Sequence, residues 1–432
     1  MPEHTDADTD SGLESQSSQQ SSAVKPQIFI PTLYIAEGLP YTIVNSMSVV
    51  LFKNFQAPNE IVGFFTSLLY FPWTLKFLWA PNVDFIGTRR QWIVVSQIVL
   101  GILALMCASV AAVPNPIYPL FAVFVVMALA SATQDVAIDG FYLDALNVEQ
   151  QSLYVGVRNA FYKVATLLGA GALVYLAGKI TETHGLAAGW AAAFGICALV
   201  MLAAGIFHHF KLPHPKQDLR TQLDLKQFAA VFKTYFEQEK IVAIIVYILI
   251  FRLGDALMLK MAQPFLLDPP DRGGLGISTA DVGLIYGTVG TLFLLAGGLL
   301  GGWVVSRFGL KKCLLPTAII QNSAILLYWA LAIWKPNLVA VAAVNGYEQF
   351  SYGLGTAAYT VFLLSTVKPE YKAAHYATTT AFMALGIMVP GMASGYVQSA
   401  LGYQSFFLLS FVSSIPGMFA IFFLPIKEKA AT

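Results

Sequence analysis

Charge is what this chain has least of. Charged residues make up 11% of its 432 positions, 25 basic and 24 acidic, where a soluble domain carries about 25%. A soluble protein so poor in charge could not cover its own surface. Soluble enzymes, nucleic-acid binders and disordered proteins are therefore excluded, and a net charge of +1 gives no reason to expect a polyanionic partner. Cysteine is scarce too. Cys107, Cys197 and Cys313 lie far apart in apolar runs, match no metal spacing and read as packing residues. No His-Glu metal motif, nucleophile elbow or nucleotide loop is found. Neither an enzyme nor a cofactor or metal site is expected.

Long apolar runs are what the chain does have. Hydrophobic residues reach 57%, and a run of about 20 crosses the roughly 30 Å of hydrocarbon in a bilayer. Twelve such runs are expected, at 28–52, 60–80, 91–112, 117–141, 153–178, 187–208, 241–266, 280–305, 313–334, 337–366, 373–399 and 402–425. Residues 1–24 are polar and acidic, with six serines, and read as a disordered tail rather than a signal peptide. Residues 209–240 form a basic loop between the sixth and seventh runs, with an amphipathic helix expected around Leu223–Phe236. Residues 426–432 form a short second tail.

Sorting the cations orients the chain. With the N-terminus inside, sixteen Lys and Arg fall on the inner side and four, including Lys53, on the outer side. This asymmetry predicts that both termini are cytoplasmic.

An internal repeat then appears. Ala80-Pro-Asn-Val-Asp84-Phe-Ile-Gly87-Thr-Arg89-Arg90 matches Gly302-Trp-Val-Val-Ser306-Arg307-Phe-Gly309-Leu-Lys311-Lys312 at an offset of 222 residues. A weaker echo relates Ala36-Glu37-Gly38 to Gly254-Asp255-Ala256. Two six-helix halves follow, 25–208 and 241–425, and parallel halves place a substrate site between them near mid-membrane.

These paired loops resemble the signature of the major facilitator superfamily. The first copy departs from it at Ala80 and Phe85, and the second has Ser306 where the acid would stand. The expected role is gating. Asp84 would accept from helix N-termini, while Arg89, Arg90, Arg307 and Lys311 would latch to inner carboxylates, more weakly in the Ser306 copy.

Two further stretches, Pro72-Trp73-Thr74-Leu75-Lys76-Phe77-Leu78-Trp79-Ala80-Pro81 and Ser131-Ala132-Thr133-Gln134-Asp135-Val136-Ala137-Ile138-Asp139, resemble one branch of that superfamily. This is the peptide/acetyl-coenzyme A/drug transporter family, which includes AmpG-type muropeptide permeases. The resemblance runs from about residue 28 to 425. It implies proton-coupled uptake across a bacterial inner membrane of amino sugars or muropeptides. Ferric siderophores, acetyl-coenzyme A or other solutes are the alternatives within the same family. A monomer is expected, with the lipid bilayer, protons and a small solute as its partners.

Ionisable residues inside spans are functional candidates, because each costs several kcal/mol without a partner or water. The anions are Glu37, Asp135, Asp139, Asp255 and Glu348; the cations are Lys76, Arg158, Lys163, Arg252 and Lys260. Glu37 lies in Glu37-Gly38-Leu39-Pro40, where Gly and Pro are expected to interrupt the first helix. Asp135 and Asp139 share one helix face, where mutual repulsion suits a proton carrier, and Gln134 lies beside them. Either could instead be paired with Lys76 or Arg158. Asp139 is expected in an inner ion-pair network with Lys76, and Asp135 in the cavity. Tyr41, Arg158, Tyr162, Arg252, Asp255, Glu348, Gln349 and Tyr352 complete the candidate cavity set.

Overall fold

Proline and glycine shape the helices from which the molecule is built. In the computed structural model the described residues are 25–214, 233–367 and 372–425. They are helical throughout, with no strand among them. Both tails, and residues 223–232 of the expected loop helix, lie outside the described residues. Residues 233–236 are helical.

Among the described residues, ten helices are long and apolar enough to cross a membrane. The first nine spans are α1 (Pro26–Asn54), α2 (Asn59–Leu78), α3 (Arg89–Val110), α4 (Ile117–Ala145), α5 (Val148–His184), α6 (Leu186–Lys211), α7 (Ile241–Leu267), α8 (Thr279–Phe308) and α9 (Leu310–Trp334). Helix α10 (Leu338–Ser365) has the length, but Asn345, Glu348 and Gln349, all buried, make it less apolar. The long helix Lys372–Ala420 crosses twice, because it turns at Gly402, whose φ of 71° suits glycine alone. It supplies α11 (372–401) and α12 (403–420). Twelve spans result. The first and last therefore begin and end on one face of the bundle, the terminal end, and the opposite face is the far end.

The repeated loops fold alike. Gly87 and Gly309 both adopt positive φ, 70° and 84°. Each turns the chain just before the two cations that open α3 and α9. Thr88 caps α3 reciprocally with Gln91.

Helix α1 corrects one expectation. It stays helical through Gly38 and Pro40 and widens into a π-turn only at Ile43–Met47. Proline has no N–H for the carbonyl four residues back. That carbonyl, on Ala36, instead accepts from the Gln134 side chain at 2.7 Å. A neighbouring span thus supplies the hydrogen bond that the interruption was expected to leave open.

The halves meet along glycine. The π-helical segments Leu167–Leu173 of α5 and Gly283–Val289 of α8 pack directly on each other. A Cβ on Gly287 would overlap the Ala170 carbonyl, and one on Gly283 would press on the Tyr175 backbone. Backbones this close explain why small residues stand there. All three cysteines are free and buried.

The polar contacts that join the halves gather at the far end. Lys53 Nζ, at the end of α1, lies 2.6 Å from Asp268 Oδ1, just past α7, with both side chains 5% exposed. Lys53 also donates to Asn59 Oδ1 at 2.7 Å. The Asn59 amide donates to Asp268, Gln398 and Tyr403 at 3.0, 2.7 and 2.9 Å. Tyr403 donates to Asp268 at 2.6 Å. Gly395 lies so close over the Asn59 carbonyl that a side chain would not fit. Thr279 of α8 adds a bond to Asn54 of α1 at 3.0 Å. Sorted by sequence as a loop cation, Lys53 is in fact buried inside this seal.

Candidate transport cavity

On the terminal side of the seal a cavity of about 310 Å³ opens between the halves. Its first-half wall consists of Tyr41, Tyr70, Trp73, Thr74, Lys76, Phe77, Asp135 and Tyr162. Thr380, Ala381, Met383 and Ala384 of α11 face them from the second half. Tyr41 is the hub of an aromatic box. Its ring centroid lies 6.4 Å from Tyr70, 5.1 Å from Trp73 and 6.0 Å from Tyr162. The Tyr70 and Trp73 contacts are edge-on, which aromatic quadrupoles favour.

Of the sequence candidates, Tyr41, Lys76, Asp135 and Tyr162 line the cavity. Tyr70 and Trp73 were missed. Their spacing held the signal, because 70, 73, 74 and 77 share one face of α2.

The charges of the first half form one network. Lys76 pairs with Asp135, and Arg158 with Asp139 at 3.0 Å. The Arg158 guanidinium is held between the rings of Tyr34 and Tyr142, 4.8 and 5.1 Å from their centroids. Glu37 is 6% exposed. Its Oε2 has no hydrogen-bond partner among the described residues. Gln134 is fully buried and occupied with Ala36, so it serves the α1–α4 contact.

The second-half candidates form a separate cluster and do not line this cavity. Arg252 pairs with Asp255 at 3.3 Å and donates to Thr356 at 2.8 Å. It too lies between two tyrosines, Tyr352 at 4.8 Å and Tyr359 at 5.1 Å. Gln321 of α9 donates to Asp255 at 2.9 Å. Glu348 accepts from Gln349 at 2.9 Å, and its Oε1 has no partner among the described residues.

At the terminal end, Arg89 donates to the Gly140 carbonyl at 2.6 Å and pairs with Asp144 at 2.7 Å. Arg90 donates to the His209 carbonyl. The carboxylate partner, Asp144, ends α4 and was not singled out by sequence. Arg307 and Lys311 lie exposed where α8 meets α9. The Ser306 hydroxyl bonds to its own helix at Trp303. The side chain of Asp84 lies outside the described residues.

Twelve spans, a duplicated loop and a cavity between two halves define a class, the secondary transporters of the major facilitator type. Residues 32–266 match the family model of the Major Facilitator Superfamily, and the chain belongs to that family. Its relatives include AmpG-type permeases. The anhydromuropeptide permease of Escherichia coli is 27% identical over 392 residues, 89% of this chain and 77% of its own. The putative transporter AmpG 4 of Rickettsia conorii is 25% identical, covering 93% of this chain and 96% of its own. In fold, the chain is similar to a crystal structure of a D-xylose–proton symporter. The TM-score is 0.72 at 14% identity, over 92% of this chain and 97% of that one. The nucleoside transporter NupG gives 0.68 at 17% identity, over 92% and 98%. The protein is a multi-pass membrane transporter, not an enzyme.

Proposed function

We propose that this transporter imports cell-wall-derived amino sugars or anhydromuropeptides across a bacterial inner membrane, driven by protons. The observation that carries the reading is the Lys76–Asp135 ion pair at the wall of an aromatic cavity, with Glu37 buried beside the Gln134–Ala36 bond. A carboxyl inside a span without a cation partner is a candidate proton carrier. On this reading, solute or a conformational change draws Lys76 away from Asp135 and so links solute binding to the charge of the site.

The flat rings of Tyr41, Tyr70, Trp73 and Tyr162 suit the apolar faces of a pyranose, and Thr74 and Thr380 can meet its hydroxyls. The name of the E. coli relative supports the same solute class. The sixteen-to-four bias of cations supports cytoplasmic termini. On that orientation the far-end seal is periplasmic and the cavity faces the cytoplasm. The halves, 25–208 and 241–425, rock about the cavity, and the 209–240 loop tethers them. The working unit is a monomer.

Uptake of labelled anhydromuropeptide or amino sugar into proteoliposomes, with and without an inward pH gradient, tests the reading. Gradient-dependent accumulation is the expected result. Failure to accumulate any member of the solute class overturns it.

A further inference from the structure

Pairing the intramembrane charges leaves a remainder. Three of the five cations have carboxylate partners, Lys76, Arg158 and Arg252. Lys163 and Lys260 have none among the described residues, and both are half-buried. An ammonium left uncompensated in a bilayer is expensive, so its position needs a reason.

Lys260 stands where that reason can be read. It lies seven residues before the far end of α7, about 10 Å at the rise of an α-helix. Its side chain, roughly 6 Å long, cannot snorkel past the seal at Asp268. Its Cε and the Ser67 hydroxyl of α2 both lie over Gly391 of α11, whose missing side chain makes the room. Three spans, one from the first half and two from the second, thus surround the lysine at the seam. Ser67 is 2% exposed, and its hydroxyl has no hydrogen-bond partner among the described residues. Ser67 is one helical turn beyond Tyr70 of the aromatic box.

A cation without an anion and a hydroxyl without an acceptor, among the described residues, therefore lie together beside Gly391, one turn of α2 beyond Tyr70. We infer that Lys260 and Ser67 form an anion subsite that receives a carboxylate of the transported solute while its ring occupies the aromatic box. The inference rests on the proposed solute class and adds to it: the site prefers an amino sugar bearing a carboxylate over the same sugar without one. Lys260 acts as a specificity residue and carries no proton in this scheme.

The test uses two probes in proteoliposomes, a carboxylate-bearing amino sugar and its methyl ester. Wild-type protein should favour the acid. Lys260→Gln should lower acid uptake roughly tenfold to a hundredfold through KM, the range of a lost charge-assisted hydrogen bond. Ester uptake should stay within about twofold. Lys260→Arg should restore part of the preference. If Lys260→Gln is poorly folded, Lys260→Met, which keeps the stem, replaces it. Equal loss of both probes, or no loss of either, overturns the subsite. If wild-type protein takes up neither probe, the proposed solute class itself has failed.

Discussion

The two halves solve the same problem with the same parts and reach opposite results. Each holds an arginine between two tyrosine rings, Arg158 with Tyr34 and Tyr142, Arg252 with Tyr352 and Tyr359, at matching distances. Each pairs that arginine with an aspartate. In the second half both side chains are 2% exposed and the aspartate is tied to Gln321 as well. In the first half the pair is 28% and 43% exposed, and a second pair, Lys76–Asp135, opens onto the cavity. A sealed pair fixes geometry. A pair that water and solute can reach can exchange protons and partners. The difference lies in access: on the proposed reading, coupling belongs to the first half and bracing to the second.

Four experiments break or sharpen this contrast. Replacement of the coupling carboxyls should have the largest effect: Asp135→Asn or Glu37→Gln should lower gradient-driven uptake at least about tenfold while leaving expression intact. Unchanged pH dependence of uptake in both variants would remove the first half from coupling. Next, Arg252→Met strands Asp255 as a buried charge, which costs about 3–5 kcal/mol. Its melting temperature in detergent should fall sharply, and Asp255→Asn introduced with it should recover part of the loss. A melting temperature equal to wild type would deny the second cluster its bracing role.

A smaller effect is expected at the seam. Asp268→Asn removes the anion opposite Lys53 and should increase labelling of a cysteine placed at Gln398, read with a membrane-impermeant thiol reagent. Labelling at the wild-type level would mean that the other contacts suffice. Last, Lys179→Ala breaks an exposed pair with Glu182, both about half exposed. Such pairs contribute little, and no measurable change in melting temperature or uptake is expected.

Much of this plan was legible in the chain. Apolar runs gave the spans because hydrocarbon thickness fixes their length. Gly87 and Gly309 gave the repeat because only glycine makes that turn easily. The i, i+4 spacing places Asp135 and Asp139 on one face, and pairing with Lys76 or Arg158 is one of the arrangements that position allows. What was illegible depends on contacts between distant spans. Lys53, Asn59, Asp268, Gln398 and Tyr403 each look like ordinary polar residues at the edge of a run. Only helix packing brings residues 59 and 403 within 2.9 Å. Gln134 beside two aspartates pointed to the cavity, yet the proline at position 40 had already created a use for it.

The seal at the far end has a thermodynamic consequence. Its members satisfy one another, with Asn59 alone bonding three partners across the seam. None can leave without orphaning the rest, so the cluster parts as a unit, and water must enter as it does. Opening is therefore a hydration event, and sucrose or another excluded osmolyte should slow it by lowering water activity. If the halves rock as proposed, turnover should fall as the osmolality at this face rises.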